Sequence, residues 1–264
     1  MSKVTIKDIA KYCNVSTATV SYVINNKENQ SISEDTKSKI LHAVNMLNYK
    51  PSVIAKNLRT VPQHKLVAIY TDESAKYLNR LEYLHILDKA SSYFSNHNIS
   101  LIYGRKPYVQ VQNADALLSY NLSTEEFREL GKSNFIPLIA LDSLINDHLF
   151  FQVTTDYIKI KQEADKLFDH YIFIGLKPSS LELSNKIIST FSKVKLINKV
   201  EDLVDISTNN IVTDSKVIYD YYSSINGKNV LFNPDTLDKK IERLYHCIEQ
   251  ALSHNKFDTH FYEI

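Results

Sequence analysis

Asp72, Ser74, Tyr77, Asp142 and Asp156 are the side chains best placed to hold a small molecule, because each lies at or just after an apolar run that reads as a strand. Open α/β sheets bind ligands in the crevice beyond the carboxyl ends of their strands, and short polar groups there can hydrogen-bond to a ligand. The same residue types also cap helices or sit in solvated loops, so each has a plain structural role open to it. Enzyme chemistry finds less support. The chain has nine histidines, yet none falls in a His-Glu-x-x-His pattern or at metal spacing from a cysteine. His246 and Cys247 are neighbours in a helical pattern, where adjacent side chains point to different faces. No Gly-x-Ser-x-Gly elbow occurs. The four glycines, Gly104, Gly131, Gly175 and Gly227, are too scattered to cradle a phosphate. The reading is of a non-enzyme that calls for no catalytic residue, no metal and no cofactor.

The elements that must position those residues follow from the apolar periodicity. Residues 66–70, 99–103, 116–120, 136–142, 150–156, 171–176, 194–198, 210–214 and 229–233 read as strands. Helical patterns cover about 77–97, 123–133, 157–169, 181–192, 215–224 and 235–254. Strand–helix alternation of this kind implies a mostly parallel α/β sheet. The first fifty residues differ, with three short helical patterns. Thr5 and Asp8 suit a capped start to a helix over residues 6–12, with Ile6, Ile9 and Ala10 on one face. Cys13, Asn14 and Val15 form a tight turn in which Asn14 takes the left-handed conformation. Ser16 caps a second helix reaching about Asn25, with Val20, Val23 and Ile24 as its stripe. Ser33 caps a third, with Ile40, Val44 and Leu47 buried. Residues 51–65 read as a connector.

Charge separates the same zones. Through residue 62 there are nine Lys or Arg against four acids, a net of +5. The remainder holds 22 basic and 26 acidic residues, a net of −4. A basic head on an acidic body suggests that the head meets a polyanion. The N-terminus is charged where a secretory signal would be apolar, and no apolar run reaches membrane-spanning length, so the chain reads as cytoplasmic with no membrane partner. Cys13 and Cys247 are not in a Cys-x-x-Cys pair and read as reduced thiols.

Five motifs in order carry a resemblance: Val4, Thr5, Asp8 and Ala10; Val15, Ser16, Thr19, Val20 and Ser21; Val23 and Asn25; Leu47, Asn48, Tyr49 and Pro51; Ala55 and Leu58. In this spacing, residues 4–59 resemble the DNA-binding headpiece of the LacI/GalR transcriptional regulators. The resemblance implies an all-α helix-turn-helix headpiece over 1–50 and a hinge helix and linker over 51–65. It implies a shortened α/β two-lobed, periplasmic-binding-protein-like domain over 66–264 for effector binding and dimerisation. In that family the second helix lies in the major groove. Thr17, Ala18 and Tyr22 match its base-reading positions. Ala18 can offer a methyl to thymine, and Tyr22 one hydrogen bond or a ring packed on the sugar-phosphate backbone. Thr5, Ser16, Thr19, Ser21, Asn25, Ser33, Thr36 and Tyr49 match phosphate-contact positions, and Ser16 and Ser33 can cap helices at the same time. Ala55 and Leu58 match the hinge, where paired leucines of a dimer wedge into the minor groove. Cys13 stands where relatives have a small apolar residue, and reads as core filler.

The resemblance thus implies a homodimeric transcriptional repressor on a pseudo-palindromic double-stranded DNA operator. It further implies control of carbohydrate-related genes and a response to an effector such as a sugar or sugar phosphate. The body departs from the family pattern. A helix is expected to be missing between 99–103 and 116–120. The Arg-x-x-Gly-Phe element that anchors sugars is absent near 181–191, and residues 211–215 stand where a Gly-Phe-Asp-Asp element belongs. These losses keep open a second reading, in which the body serves dimerisation or a protein co-effector.

Overall fold

The structure is a computed structural model and describes residues 4–24, 32–46, 64–72, 77–106, 108, 113–204, 206–253 and 259–264. The chain divides into two compact units, 1–63 and 64–264.

The first unit holds three helices, α1 (Ile6–Cys13), α2 (Thr17–Ile24) and α3 (Glu34–Met46). The Asp8 carboxylate accepts from the Thr5 backbone N–H at 2.8 Å and from its hydroxyl at 2.7 Å, which fixes the start of α1. These two bonds hold the Asp8 carboxyl below its ordinary pKa. The end of α1 is set by Asn14 at φ 56° and ψ 47°. An asparagine tolerates this left-handed turn better than most residues. Ile9, Ala10, Cys13, Val20, Ile40 and Ala43 form the core. Ala43 was not among the expected seam residues, whereas Val44 is only half-buried against that core. The Cys13 thiol is buried and donates to the Lys39 carbonyl at 3.6 Å, consistent with a packing role.

The second unit contains two parallel sheets. The first lobe has β1 (Lys65–Thr71), β2 (Ile99–Tyr103), β3 (Ala116–Tyr120), β4 (Leu138–Leu141), β5 (Phe151–Thr154) and β10 (Phe261–Glu263), in the order β10-β5-β4-β3-β1-β2. The second has β6 (Ile172–Leu176), β7 (Val194–Ile197), β8 (Asn210–Val212) and β9 (Asn229–Leu231), in the order β7-β6-β8-β9. The helices are α4 (Tyr77–Ser95), α5 (Thr124–Ser133), α6 (Tyr157–Leu167), α7 (Leu181–Thr190), α8 (Lys216–Ser223) and α9 (Asp235–Ser253).

Continuous apolar strands arise because both faces of a parallel sheet are covered. Alternation assigns the faces: Val67, Ile69, Leu118, Ile139 and Leu141 meet α4 and α9, while Ala68, Tyr70, Leu117, Leu138 and Ala140 meet Phe127 and Leu130 of α5. Each large side chain fully buried this way contributes roughly 1.5–3 kcal/mol. In the second lobe, Ile174, Ile197 and Ile211 pack on Ile218 and Tyr222 of α8, and Phe173 and Val212 pack on Leu183, Ile187 and Phe191. Leu78 of α4, a first-lobe helix, joins that second-lobe core.

Strand ends fall short of the apolar runs for local reasons. Pro137 has no N–H for the ladder, and Asp142 turns to φ 50°, so β4 is confined to 138–141. Thr213 and Asp214 leave β8 to lead into α8, where Ser215 is the cap. No described residue between β2 and β3 is helical. The chain leaves the first lobe after β5 and returns to it at α9, and β10 then adds itself to the edge of β5.

Candidate nucleic-acid interface and inter-lobe cleft

In the first unit, Ser16 sets the geometry of α2. Its Oγ accepts from the Thr19 N–H at 3.0 Å and lies 2.8 Å from Thr19 Oγ1. Ser33 does the same for α3, accepting from Thr36 N–H at 3.3 Å with its Oγ 2.8 Å from Thr36 Oγ1. Capping therefore holds at both serines. Thr5, Ser16, Thr17, Ala18 and Ser33 are exposed, and Thr19, Ser21, Tyr22 and Thr36 are half-buried. The first residues of α2 thus present a short face of one methyl and several hydroxyls. Such a face can meet base edges and phosphate oxygens. Asn25, Tyr49, Ala55, Leu58 and Ser74 lie outside the described residues.

In the second unit a cavity of about 70 Å³ lies between the lobes. Its polar lining includes Asn79, Glu82, Asp142, Tyr157, Asp214 and Lys240. Among the described residues, Asp142 is the one expected candidate that lines it. The other described candidates are placed elsewhere. Asp156 caps α6, accepting from the Lys159 N–H at 2.9 Å. Tyr77 is 65% exposed and borders a shallow surface with residues 198–202. Asp72 accepts from Ser179 Oγ at 3.1 Å and borders a separate hollow with Arg80, Tyr83 and Tyr103.

Three carboxylates converge on the cavity by different routes. Glu82 comes from α4 of the first lobe and caps α8 of the second. It accepts from Ser215 Oγ at 2.5 Å and from the N–H groups of Lys216 at 3.2 Å and Val217 at 3.1 Å. Asp142 accepts from Lys240 Nζ at 2.7 Å, and both are largely buried. Asp214 accepts from the Tyr157 hydroxyl at 2.8 Å. Asp214 is half-buried, and it lines the cavity. Burial pushes the Asp214 carboxyl up to about 6, with Asp142 and Glu82 adding to the rise and Lys240 and Tyr157 opposing it. Burial likewise raises Tyr157 and Tyr120 well above the usual phenol range, so both keep their protons at neutral pH.

Two cavity residues hold unusual backbone. Asn121 and Asp142 sit at φ 51° and φ 50°. Asn121 Oδ1 accepts from the Ser179 N–H at 2.8 Å, a bond across the lobes. Sequence reasoning missed Glu82, Asp214 and Lys240. Asp214 obeys the same strand-end rule as Asp142, applied to β8, and could have been found by it. Glu82 and Lys240 carried no signal, because a charged residue on an amphipathic helix reads as solvent-facing.

Comparison with known proteins agrees with these two units. Residues 5–52 match the model for bacterial regulatory proteins of the lacI family. The HTH-type transcriptional repressor PurR of Haemophilus influenzae (strain PittEE) is 29% identical over 164 residues, 55% of this chain and 47% of that protein. Catabolite control protein A of Staphylococcus aureus (strain Mu50 / ATCC 700699) is 27% identical over 169 residues, 61% of this chain and 50% of that protein. The chain spans about half the length of the curated relatives it matches. Among solved structures, the lac repressor dimer bound to operator and the anti-inducer ONPF aligns with a TM-score of 0.51 at 14% identity, over 100% of this chain and 96% of that one. The Cra transcriptional dual regulator of Pseudomonas putida, in complex with fructose 1-phosphate, aligns with a TM-score of 0.50 at 13% identity, over 76% of this chain and 97% of that one. At such identities the likeness concerns the fold, a periplasmic-binding-protein-like α/β body. Residues 5–52 therefore carry the helix-turn-helix domain of the lacI family of bacterial regulatory proteins, joined in one chain to a body of the fold its regulators share.

Proposed function

We propose that the protein is a cytoplasmic, homodimeric transcriptional repressor that reads a pseudo-palindromic operator and answers to a small polar effector, in control of carbohydrate-related genes. The head carries this reading: a capped α2 behind a left-handed Asn14, with Thr17 and Ala18 exposed at its start, inside the segment that matches the lacI family. Thr17, Ala18 and Tyr22 read bases. Thr5, Ser16, Thr19, Ser21, Asn25, Ser33, Thr36 and Tyr49 touch phosphates and set register. Ala55 and Leu58 serve as the minor-groove hinge, which requires two subunits. The effector site is the inter-lobe cleft around Asp142, Asp214 and Lys240. Lobe movement there changes DNA affinity through a coupling of about 1–3 kcal/mol.

Selection from random duplex DNA tests the reading. The expected result is enrichment of a short palindrome, lost with Leu58→Ala and relaxed at specific positions with Tyr22→Ala. Binding without enrichment would leave a head that only grips phosphates. The small cavity and the missing sugar-anchoring arginine favour a second reading, in which the body pairs subunits or meets a protein co-effector.

A further inference from the structure

We propose that the inter-lobe cleft takes a compact organic cation, a hydroxylated primary amine, and refuses anionic ligands such as sugar phosphates. This rests on the reading of the cleft as the effector site, and names the chemistry that site selects.

The argument is an inventory of donors and acceptors. Glu82 is fully served: three donors at the start of α8 converge on it, and the positive end of that helix faces it. Asp142 has Lys240. Asp214 receives one neutral hydroxyl from Tyr157, and no ion pair is formed to it among the described residues. Lys216 also borders the cavity, but its ammonium is paired with Asp220. Lys240 is thus the one lysine left facing three carboxylates among the described residues. Asn79 lines the same cavity. Asn79 is 6% exposed, its Nδ2 donates to the Lys177 carbonyl at 3.4 Å, and its Oδ1 is buried with no donor. A buried carbonyl oxygen without a donor is costly, and a partly desolvated carboxylate that shares its nearest lysine with another acid is short of positive charge. Glu82, Asp142 and Asp214 outnumber the lysines beside them, and an ammonium supplies the positive charge that is short.

Size narrows the class. A cavity of about 150 Å³ accommodates benzene, so the 70 Å³ found here suits a few heavy atoms as the lobes stand. A sugar ring requires them to part. A metal ion is a poor fit, since no three His, Cys, Asp or Glu side chains among the described residues are grouped to hold one. An anion would add its charge to an acidic cavity in which both lining lysines are already paired with carboxylates.

The test uses the full chain at pH 7, in isothermal titration and thermal-shift measurements with two matched sets. One set is ethanolamine, ethylene glycol and glycolate. The other is glucosamine, glucose and glucose 6-phosphate. The expected result is that the amine of at least one set binds roughly ten- to a hundredfold tighter than its neutral partner, the range a charge-assisted hydrogen bond gives, while the anions do not bind. Asp214→Asn is expected to abolish that preference. The comparison within each set uses the unaltered protein, so it stands even if the variant folds poorly. Tighter binding of the neutral or anionic member overturns the amine but keeps the cleft as an effector site. Binding by none of the six overturns both and leaves the body to its dimerisation role.

Discussion

Asp214 is where burial and charge compete most openly. Its carboxyl, at about 6 in the folded protein, stands above its ordinary value of 3.8. The folded state therefore holds a proton that the unfolded chain releases between roughly pH 4 and pH 6. The sign follows from that difference. Stability from this group is full below about pH 4, falls as pH rises through 6, and is lowest above it. The deficit at neutral pH is about 3 kcal/mol, from about 1.4 kcal/mol for each pH unit between the two values. Asp214→Asn removes the charge and keeps an oxygen to accept from Tyr157. Its melting temperature is expected to exceed that of the unaltered chain at pH 8, with the gap closing toward pH 4.5. An equal gap at both pH values would mean that the carboxylate is not penalised by burial. The same residue shows why the cleft was only partly legible. Asp142 was found by its position at a strand end, and Asp214 has the same position after β8. Residues 210–214 read as a strand ending on Asp214, but residues 211–215 also stand where a family element is absent, and that absence draws attention away from the acid itself.

At the level of elements, the sequence was far more informative. Strands β2 and β3 begin and end where their apolar runs do, because parallel strands covered on both faces leave a continuous apolar signature. The caps of α1, α2 and α3 were equally visible, since a serine or threonine before a periodic run has a mechanism and not only a frequency. Less could be seen of β10, three residues with no apolar run, whose pairing with β5 depends on the chain returning from the second lobe. The cap of α8 was invisible for a related reason: its acceptor, Glu82, is 133 residues away in the chain from Ser215. That cap ties the lobes through a helix end. Glu82→Ala leaves a buried hydroxyl and two helix-terminal N–H groups without their acceptor. The expected cost is roughly 2–3 kcal/mol in urea unfolding, given about 1–3 kcal/mol for a buried group left unpaired and its partial relief by water. Glu82→Gln, which keeps one acceptor oxygen, is expected to cost about half as much. Equal, negligible effects would show that the bond does not hold the lobes.

For the molecule as a whole, the separation of charge is the property that bears on DNA. The head carries +5 and the remainder −4, so attraction to phosphates belongs to the head. Neutralising phosphates releases counterions, and the logarithm of the binding constant falls with the logarithm of salt in proportion to their number. The number of phosphates met by each head need not be known to test the assembly. Residues 1–63 form a compact unit with a core of their own, so the isolated head can be compared with the full chain on the same palindrome. A dimer brings two heads to one site and doubles the phosphates neutralised. The salt slope of the full chain is therefore expected to be about twice that of residues 1–63. Its affinity should be higher by a large factor, because the second head binds at the effective concentration set by the first. A ratio near one would mean that a single head engages. The operator would then need no symmetry, and a hinge leucine acting as one of a pair would lose its role.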